Sequence, residues 1–367
     1  PYMPWPPLIG IVLQFLLTPF LLSALGLKIG LGPDSHGFIA LITTIIWMGL
    51  GILVYYGYSQ PREHEKLEEE TPTIATEQAP KPERAEREQR VLVPIANPES
   101  VDQLMRTALD IAEEQHAELE VMSIVTVPQQ TPLSEGQQFV GEERAVLDQA
   151  LDFAEEYNSE VPVSGRIRIG HDVSQAILNT VRQDDVDVVL MGWRGRGRRR
   201  DYVLGSNVDE VVTQARCDVL VERIGPAKRV DSILVPTAGG PHAEFAAEIA
   251  RAIARANDAQ VEVVYVSRAG GQGTGDGALE RAAGILEGVD AETTLLEGGD
   301  VADTIVERSA DHDITIVGAS REGLLQQLVF GAIPEEVGRR ADNTVIMAKR
   351  YLGLRSRLSR WFRNRRD

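Results

Sequence analysis

The sequence contains one cysteine, Cys217, so no intrachain disulfide can form. Cys217 directly precedes the apolar stretch Asp218–Val221, which favours a small buried residue over a reactive thiol. The six histidines are scattered along the sequence and form no metal-binding motif, so no metal site is predicted. No Ser/His/Asp grouping or Gly-x-Ser-x-Gly sequence supplies a nucleophile. We therefore expect a protein that is not an enzyme.

Lysine is scarce as well, with five lysines against 32 arginines and a formal net charge of −18. This acidic excess is expected where a surface must stay hydrated in concentrated salt, and it favours a halophilic source. Acidic domains repel phosphates, so no nucleic-acid partner is predicted. No glycine-rich loop carries a Walker-type lysine, which argues against fast nucleotide hydrolysis.

Two long uncharged stretches lie near the N-terminus, Leu8–Leu27 and Phe38–Tyr58. Each has about the length needed to cross a bilayer, so the sequence predicts a two-helix transmembrane hairpin. Arg62 and Lys66 follow the second stretch, whereas Lys28 stands alone between the two. The positive-inside rule then predicts a multi-pass protein of the cell membrane with its globular part in the cytoplasm.

Charged segments flank the globular part. Residues 59–89 are rich in Glu, Pro and Thr without apolar periodicity, so they predict a solvated acidic linker or a frayed helix. Residues 350–367 alternate arginines with apolar side chains at helical spacing, which predicts a basic amphipathic helix on an anionic membrane surface. Membrane lipid is thus an expected partner. A disordered basic tail paired with the acidic domains is an equal alternative.

The region between these segments contains two similar halves. Val91–Pro94 recurs as Ile233–Pro236, and His171–Val173 recurs as Gly299–Val301. Strand and helix patterns alternate in each half, which predicts an α/β fold with an open parallel five-stranded sheet and helices on both faces. The predicted domains are a hairpin at 1–58, a linker at 59–89, repeat one at 90–225, repeat two at 230–349 and a basic tail at 350–367.

A glycine-rich loop follows the fourth predicted strand of repeat one. After this strand come two glycines separated by two residues, and nine residues later a Gly-Ser pair opens a predicted helix. Backbone N–H groups of such a loop, together with the positive end of the helix, can hold a phosphate. A glycine-rich turn that binds nothing is the alternative. The candidate binding residues are Gly192, Arg194, Gly195, Gly205, Ser206 and Asn207.

The spacing Gly-x-x-Gly-x9-Gly-Ser resembles the nucleotide-binding signature of the universal stress protein (UspA-like) family. The resemblance implies two tandem adenine nucleotide alpha hydrolase-like, flavodoxin-like domains that pair as an intramolecular pseudo-dimer, with a homodimer as a further assembly. It also implies ATP or another adenine nucleotide as a ligand. Family members that bind ATP usually carry an Asp after the first strand, whereas Ala96 and Ala238 stand there in this sequence. A phosphorylated anion is therefore the broader expectation.

The loop of repeat two departs from the signature. Arg321 replaces its second glycine and Ala332 replaces its serine, so we expect a degenerate repeat that does not bind a ligand in the family's way. Gly273–Ala278 formally fits a dinucleotide-binding fingerprint, but it lies far beyond its strand. We interpret this segment as a flexible loop.

The predicted hairpin, with its short polar loop and cytoplasmic tail, is similar to the last two helices of an amino acid permease of the amino acid–polyamine–organocation superfamily. That superfamily includes members with C-terminal universal stress protein domains. The resemblance implies an upstream permease transmembrane domain before Pro1. It predicts a cytoplasmic regulatory or sensor module of an amino acid transporter. The alternative is a scaffold or dimerisation module that binds no ligand and is tethered to the membrane.

Overall fold

The computed structural model describes residues 73–78, 89–130, 132–133, 136, 139–157, 159–193, 204–227, 229–267, 275–320 and 329–353. None of the helices in these ranges is both long and apolar enough to span a bilayer. The predicted hairpin at 1–58, the loop residues Arg194 and Gly195, and the tail beyond residue 353 lie outside the described residues.

Strands and helices alternate along the described part of the chain, as the sequence pattern predicts. The strands are β1 Thr73–Gln78, β2 Gln89–Pro94, β3 Ala117–Thr126, β4 Val163–Gly170, β5 Val188–Trp193, β6 Asp218–Arg223, β7 Ser232–Pro236, β8 Gln260–Ser267, β9 Ala291–Glu297, β10 Ile314–Gly318 and β11 Thr344–Lys349. The α-helices are α1 Val101–Glu114, α2 Val140–Glu156, α3 Val173–Gln183, α4 Ser206–Gln214, α5 Pro241–Asn257, α6 Gly275–Ile285, α7 Val301–Ser309 and α8 Ala332–Arg340.

These strands form one sheet in the order β1-β4-β3-β2-β5-β6-β11-β10-β7-β8-β9. Within repeat one the strands β4-β3-β2-β5-β6 are parallel, and within repeat two β11-β10-β7-β8-β9 are parallel. Parallel neighbours need crossover connections, and the helices supply them. The predicted α/β fold with a parallel five-stranded sheet in each repeat is confirmed, and the two sheets are continuous.

The repeats meet where β6 and β11 pair antiparallel. Val219 lies opposite Lys349, and Arg223 lies opposite Val345, so the ladder is related to itself by a pseudo-two-fold axis. Pairing the last strand of each repeat removes two sheet edges that would otherwise expose unpaired backbone groups. We call this junction, with the helices that pack over it, the seam.

Helices α1 and α5 pack across the seam on one face of the sheet. Glu114 of α1 forms ion pairs with Arg251 at 3.0 Å and with Arg255 at 2.8 Å, both on α5. Asn257 at the end of α5 donates to Asp110 of α1 at 2.8 Å. Repeat two therefore supplies partners to charged groups of repeat one.

Each last strand also supplies a cation to a helix of the other repeat. Lys349 Nζ donates to the carbonyl of Val212 in the last turn of α4 at 2.9 Å. Arg223 donates to the carbonyl of Ala341, which caps α8, and to that of Asn343 at 2.7 Å. Because carbonyls at a helix C-terminus carry negative partial charge, both contacts are favourable. The two repeats thus stabilise each other's helices reciprocally.

The strand β1 corrects the prediction made for residues 59–89. Thr73–Gln78 pairs antiparallel with β4, with Glu77 opposite Gly165, so this part is neither a free tether nor a frayed helix. β4 is the outermost strand of repeat one, and its open edge accepts another strand. Three of the first four residues of β1 are β-branched, which suits an extended backbone.

A second correction concerns Gly273–Ala278. Residues from Gly275 onward form the first turn of α6 and not a loop, because the parallel crossover from β8 to β9 uses this helix. A Cβ on Gly275 would lie 2.9 Å from Cδ1 of Tyr265, so the glycine allows the helix to start against an aromatic ring. Gly275, one of the glycines that suggested a dinucleotide site, therefore has a packing role.

Cys217 lies just before β6 and is buried, as expected for a small core residue. Burial raises the pKa of its thiol well above the ordinary range. The thiolate that reactive cysteines need is therefore disfavoured.

Two carboxylates are buried at the seam. Glu222 of β6 is fully buried and accepts a hydrogen bond from Gln103 Nε2 at 3.0 Å. Asp110 of α1 accepts from the Tyr157 hydroxyl at 2.7 Å and from Asn257 at 2.8 Å. Burial raises the pKa of Asp110 to about 6 and the pKa of Glu222 to about 7, because loss of solvation outweighs these hydrogen bonds.

We expect the free energy of unfolding to fall as the pH rises toward about 7. Below that pH the folded chain keeps protons on Asp110 and Glu222 that the unfolded chain has already lost, so raising the pH favours unfolding. Glu222→Gln removes the larger part of this dependence, on the order of 3 kcal/mol between about pH 5 and about pH 8. Urea titrations at the two pH values measure it.

Glu292→Gln is the matched control, because Glu292 lies exposed on β9. This variant should keep the pH dependence of the wild type. Equal pH dependence in Glu222→Gln and the wild type would contradict the assignment.

Candidate functional site

The candidate site lies where β5 ends and α4 begins. β5 pairs with β2 on one side and with β6 on the other, so it borders the point where the strand order of repeat one reverses direction. In open α/β sheets ligands bind outside the carboxyl ends of the strands at such a switch point. Gly192 lies at the carboxyl end of β5, and Gly205 lies directly before α4. Both therefore occupy the position that the sequence predicted.

The first turn of α4 is open to solvent. Gly205 is the N-cap residue with φ 131° and ψ 145°, and it supplies no side-chain cap to the helix. Gly205, Ser206 and Asn207 are all exposed. The first N–H groups of a helix have no intrahelical acceptor and carry positive partial charge. An exposed, uncapped first turn can therefore donate to an anion.

Gly192 has a packing role. A Cβ at this position would lie 3.0 Å from Cδ1 of Leu104, a buried residue of α1. That distance is tighter than ordinary van der Waals contact, so a larger residue would push α1 away from the end of β5. The glycine keeps the loop start close to the sheet edge.

Sequence reasoning missed a carboxylate in the helix that follows each loop. Asp209, in α4, accepts from the backbone N–H of Leu204 at 3.1 Å, and burial raises its pKa. Glu335, at the same position in α8, accepts from Val329 at 2.8 Å and from Phe330 at 3.1 Å. In both repeats the sequence has an acidic residue four positions after the last glycine, and this shared spacing could have identified the two carboxylates. These carboxylates fix the end of each loop to its helix.

Repeat two closes the equivalent helix start. Gly331 is buried with φ 101°, and a Cβ there would collide with the side chain of Ser320. Ser320 N–H donates to the carbonyl of Phe330 at 2.8 Å, which holds the serine in place. Pro334, the third residue of α8, has no N–H to donate. The N-cap glycine of α8 is therefore buried against Ser320, although Ala332 after it is exposed, and the first turn of α8 has one N–H donor fewer than the first turn of α4.

The neighbouring strand ends shape the rest of the site. Ala96, after β2, is exposed and offers no carboxylate to a ligand. Gly136 is buried, and a Cβ there would lie 2.5 Å from Cγ2 of Ile169 and 3.2 Å from Cγ1 of Val127. The β3–α2 connection thus lies directly against the ends of β3 and β4. Across the residues that the structure describes, no group of three or more His, Cys, Asp or Glu side chains could hold a metal ion.

We expect Gly331→Ala to destabilise the chain more than Gly205→Ala. Both residues have positive φ, so both substitutions strain the backbone by roughly 1 kcal/mol. A methyl group at 205 meets nothing within 4 Å, whereas one at 331 meets Ser320 and adds roughly 1–3 kcal/mol. Urea unfolding measures both losses.

The double variant Gly331→Ala, Ser320→Gly should recover the steric part of the loss and keep the backbone part. Equal losses for the two single variants would show that the two helix starts do not differ in packing.

The chain can be compared with known proteins. The profile of the universal stress protein family matches residues 88–223 and 229–349. The Na(+)/H(+) antiporter NhaS5 of Synechocystis sp. is 29% identical over 135 residues, which are 36% of this chain and 19% of the antiporter, so the chain spans about a fifth of that relative. A universal stress protein structure from Archaeoglobus fulgidus has a TM-score of 0.53 and 16% identity, covering 72% of this chain and 97% of its own. The protein belongs to the universal stress protein family and carries two such domains in tandem.

Proposed function

We propose that the protein is a cytoplasmic regulatory module of a membrane transporter, in which repeat one binds a nucleotide or another phosphorylated anion. The observation that carries the proposal is the exposed and uncapped first turn of α4. In repeat two the equivalent glycine, Gly331, is buried against Ser320, and Pro334 removes one N–H donor from the first turn of α8. A ligand that acts on one repeat and not on the other suits a sensor.

The chemistry of the turn favours phosphate over other ligands. The N–H groups of Ser206 and Asn207 and the positive end of the helix can bind phosphate oxygens. Arg194 and its neighbouring arginines add positive charge along the loop sequence. Since Ala96 supplies no carboxylate for a ribose, we propose that the phosphates and not the nucleoside dominate binding. ATP, AMP and inorganic phosphate are the probes that separate these contributions.

We propose binding without turnover. The loop lacks a Walker lysine, and the sequence supplies no nucleophile. A regulatory domain needs only a difference in free energy between its bound and free states.

The link to a transporter rests on two observations. The matched relative is a Na(+)/H(+) antiporter, and the chain covers 19% of its length. The sequence of residues 1–58 also predicts a membrane hairpin. We propose that this hairpin is the end of a permease-like membrane domain and holds the two repeats at the cytoplasmic face. Which ion or amino acid is transported is a property of that domain.

Ser206→Pro tests the ligand site. We expect it to abolish stabilisation by ATP, because proline deletes the first N–H of α4 while its φ suits a first helical turn. The chain already starts α5 in this way, with Gly240 followed by Pro241. Ser206→Ala is the matched control, which keeps the N–H and loses the hydroxyl. Thermal unfolding with and without ligand measures the stabilisation, which is roughly 2.7 kcal/mol when the ligand is in hundredfold excess over its Kd.

Stabilisation of the wild type and of Ser206→Ala, but not of Ser206→Pro, supports a site built on the helix amides. Stabilisation of all three chains would exclude the first turn of α4. No stabilisation of the wild type by ATP, AMP or phosphate would favour the scaffold, in which the repeats only dimerise or bind a partner.

Membrane attachment is tested by fractionation. We expect the chain to sediment with membranes and to resist extraction by salt, because burying two apolar helices outweighs electrostatic attachment. Deleting residues 1–58 should release it, and deleting residues 354–367 should not. Release by salt alone would contradict the hairpin and favour the basic tail as the anchor.

A further inference from the structure

The aromatic residue of the glycine loop is buried in the other repeat. Trp193 directly follows Gly192, ends β5 and is only 8% exposed. A Cβ on Gly338 of α8 would lie 2.9 Å from Cζ3 of this indole and 3.4 Å from Sδ of Met347 on β11. The start of the loop in repeat one therefore packs on a glycine surface of repeat two.

This packing breaks the pseudo-symmetry of the seam. At the position of Trp193, repeat two has Ala319, and at the position of Gly338, repeat one has Val212. The tryptophan, and the glycine that leaves room for it, therefore occur at one of the two equivalent contacts and not at the other. Among the described residues, Trp193 at the end of β5 packs against the other repeat, whereas its equivalent Ala319 is too small to fill such a space, and repeat one is also the repeat with the open helix start.

The helix that follows this loop also contacts repeat two. Helix α4 follows the loop, and the carbonyl of Val212 in its last turn accepts from Lys349 Nζ at 2.9 Å. Burial lowers the pKa of this lysine, which places its ammonium group in a poorly solvated contact. Repeat two thus contacts repeat one both where the loop begins, at Trp193, and on the helix that follows it.

We infer that repeat two is the positioning partner of the anion site in repeat one, and that Trp193 is the residue that couples ligand binding to the seam. This inference rests on the proposed function, because it requires an anion at the first turn of α4. The buried Leu204 and Val208, on either side of the exposed first turn, lie in the same apolar cluster as Trp193, so a ligand held at that turn strengthens the contact between repeats. By linkage, a change at the seam must alter ligand affinity by the same free energy.

Repeat two then has a function although its own loop departs from the family signature. Repeat two needs no ligand of its own if its role is to respond to the ligand of repeat one through α8. Because Trp193 joins a strand end to the packed helix α8, a small displacement of Leu204 or Val208 in the same cluster changes packing at the seam. Through this contact, ligand binding to repeat one can change the packing of repeat two and thereby affect a partner bound to repeat two.

Gly338→Ala in the full chain tests the coupling. The added methyl cannot coexist with the indole at 2.9 Å, so the buried ring of Trp193, at the start of the loop, must shift. We expect the Kd for ATP to rise about tenfold, within the usual range of coupling between sites. Gly284→Ala is the matched control, because this helical glycine of repeat two has nothing within 4 Å of a Cβ. Its Kd should equal that of the wild type.

A rescue variant separates positioning from general damage. Trp193→Phe in the Gly338→Ala background makes room for the methyl, so we expect it to recover most of the affinity. The unfolding midpoint in urea confirms that each variant is folded. If Gly338→Ala does not fold, Trp193→Phe alone should weaken ATP binding in a folded chain, and an unchanged Kd would overturn the inference.

Trp193 also supplies a direct readout. The chain has four tryptophans, and replacing Trp5, Trp47 and Trp361 by Phe leaves Trp193 as the reporter. We expect ATP to shift its emission in the wild-type background and not in Gly338→Ala. ATP binding of equal affinity in Gly338→Ala, Gly284→Ala and the wild type would overturn the inference while leaving the proposed function intact. A wild type that binds neither ATP nor phosphate would overturn both.

Discussion

The antiparallel pairing of β6 with β11 is the contact on which the rest of this structure depends. It turns two parallel sheets into one, and it places the last strand of each repeat in the interior of that sheet. Because the ladder has pseudo-two-fold symmetry, it brings Lys349 to the end of α4 and Arg223 to the end of α8. One set of backbone hydrogen bonds thereby aligns α4 and α8 in their two repeats.

This junction has an energetic cost. Glu222 and Asp110 are buried beside the ladder, and the free energy of removing each carboxylate from water exceeds what its hydrogen bonds return. Protonation relieves that cost, so the contact between repeats is more stable in mild acid than near neutrality. A contact of this kind between the repeats is not optimised for stability.

The fold could be predicted from the sequence because parallel strands are buried on both faces and appear as short apolar runs such as Val91–Pro94. The same pattern of apolar runs occurs in both repeats, which strengthened the prediction. β1 was missed because its pairing depends on the open edge of β4, about ninety residues away, and not on local pattern. The glycine positions were found from spacing, whereas Asp209 was missed because a carboxylate in a first helical turn has many uses. Contacts between repeats, such as that of Trp193, have no local signal.

The two repeats show how a tandem pair can differentiate while its junction stays symmetric. The backbone ladder pairs β6 and β11 in the same way from either side, yet their side chains differ, as Glu222 and Ala348 do. Further differences lie at the strand ends and helix starts. Ser320 covers one helix start, Gly205 leaves the other open, and the large side chain at the loop start is kept only beside the open one. Trp193 on one side of a symmetric junction and Ala319 on the other divide the pair into unequal halves. A symmetric dimer of identical chains has both loops identical and cannot make this division.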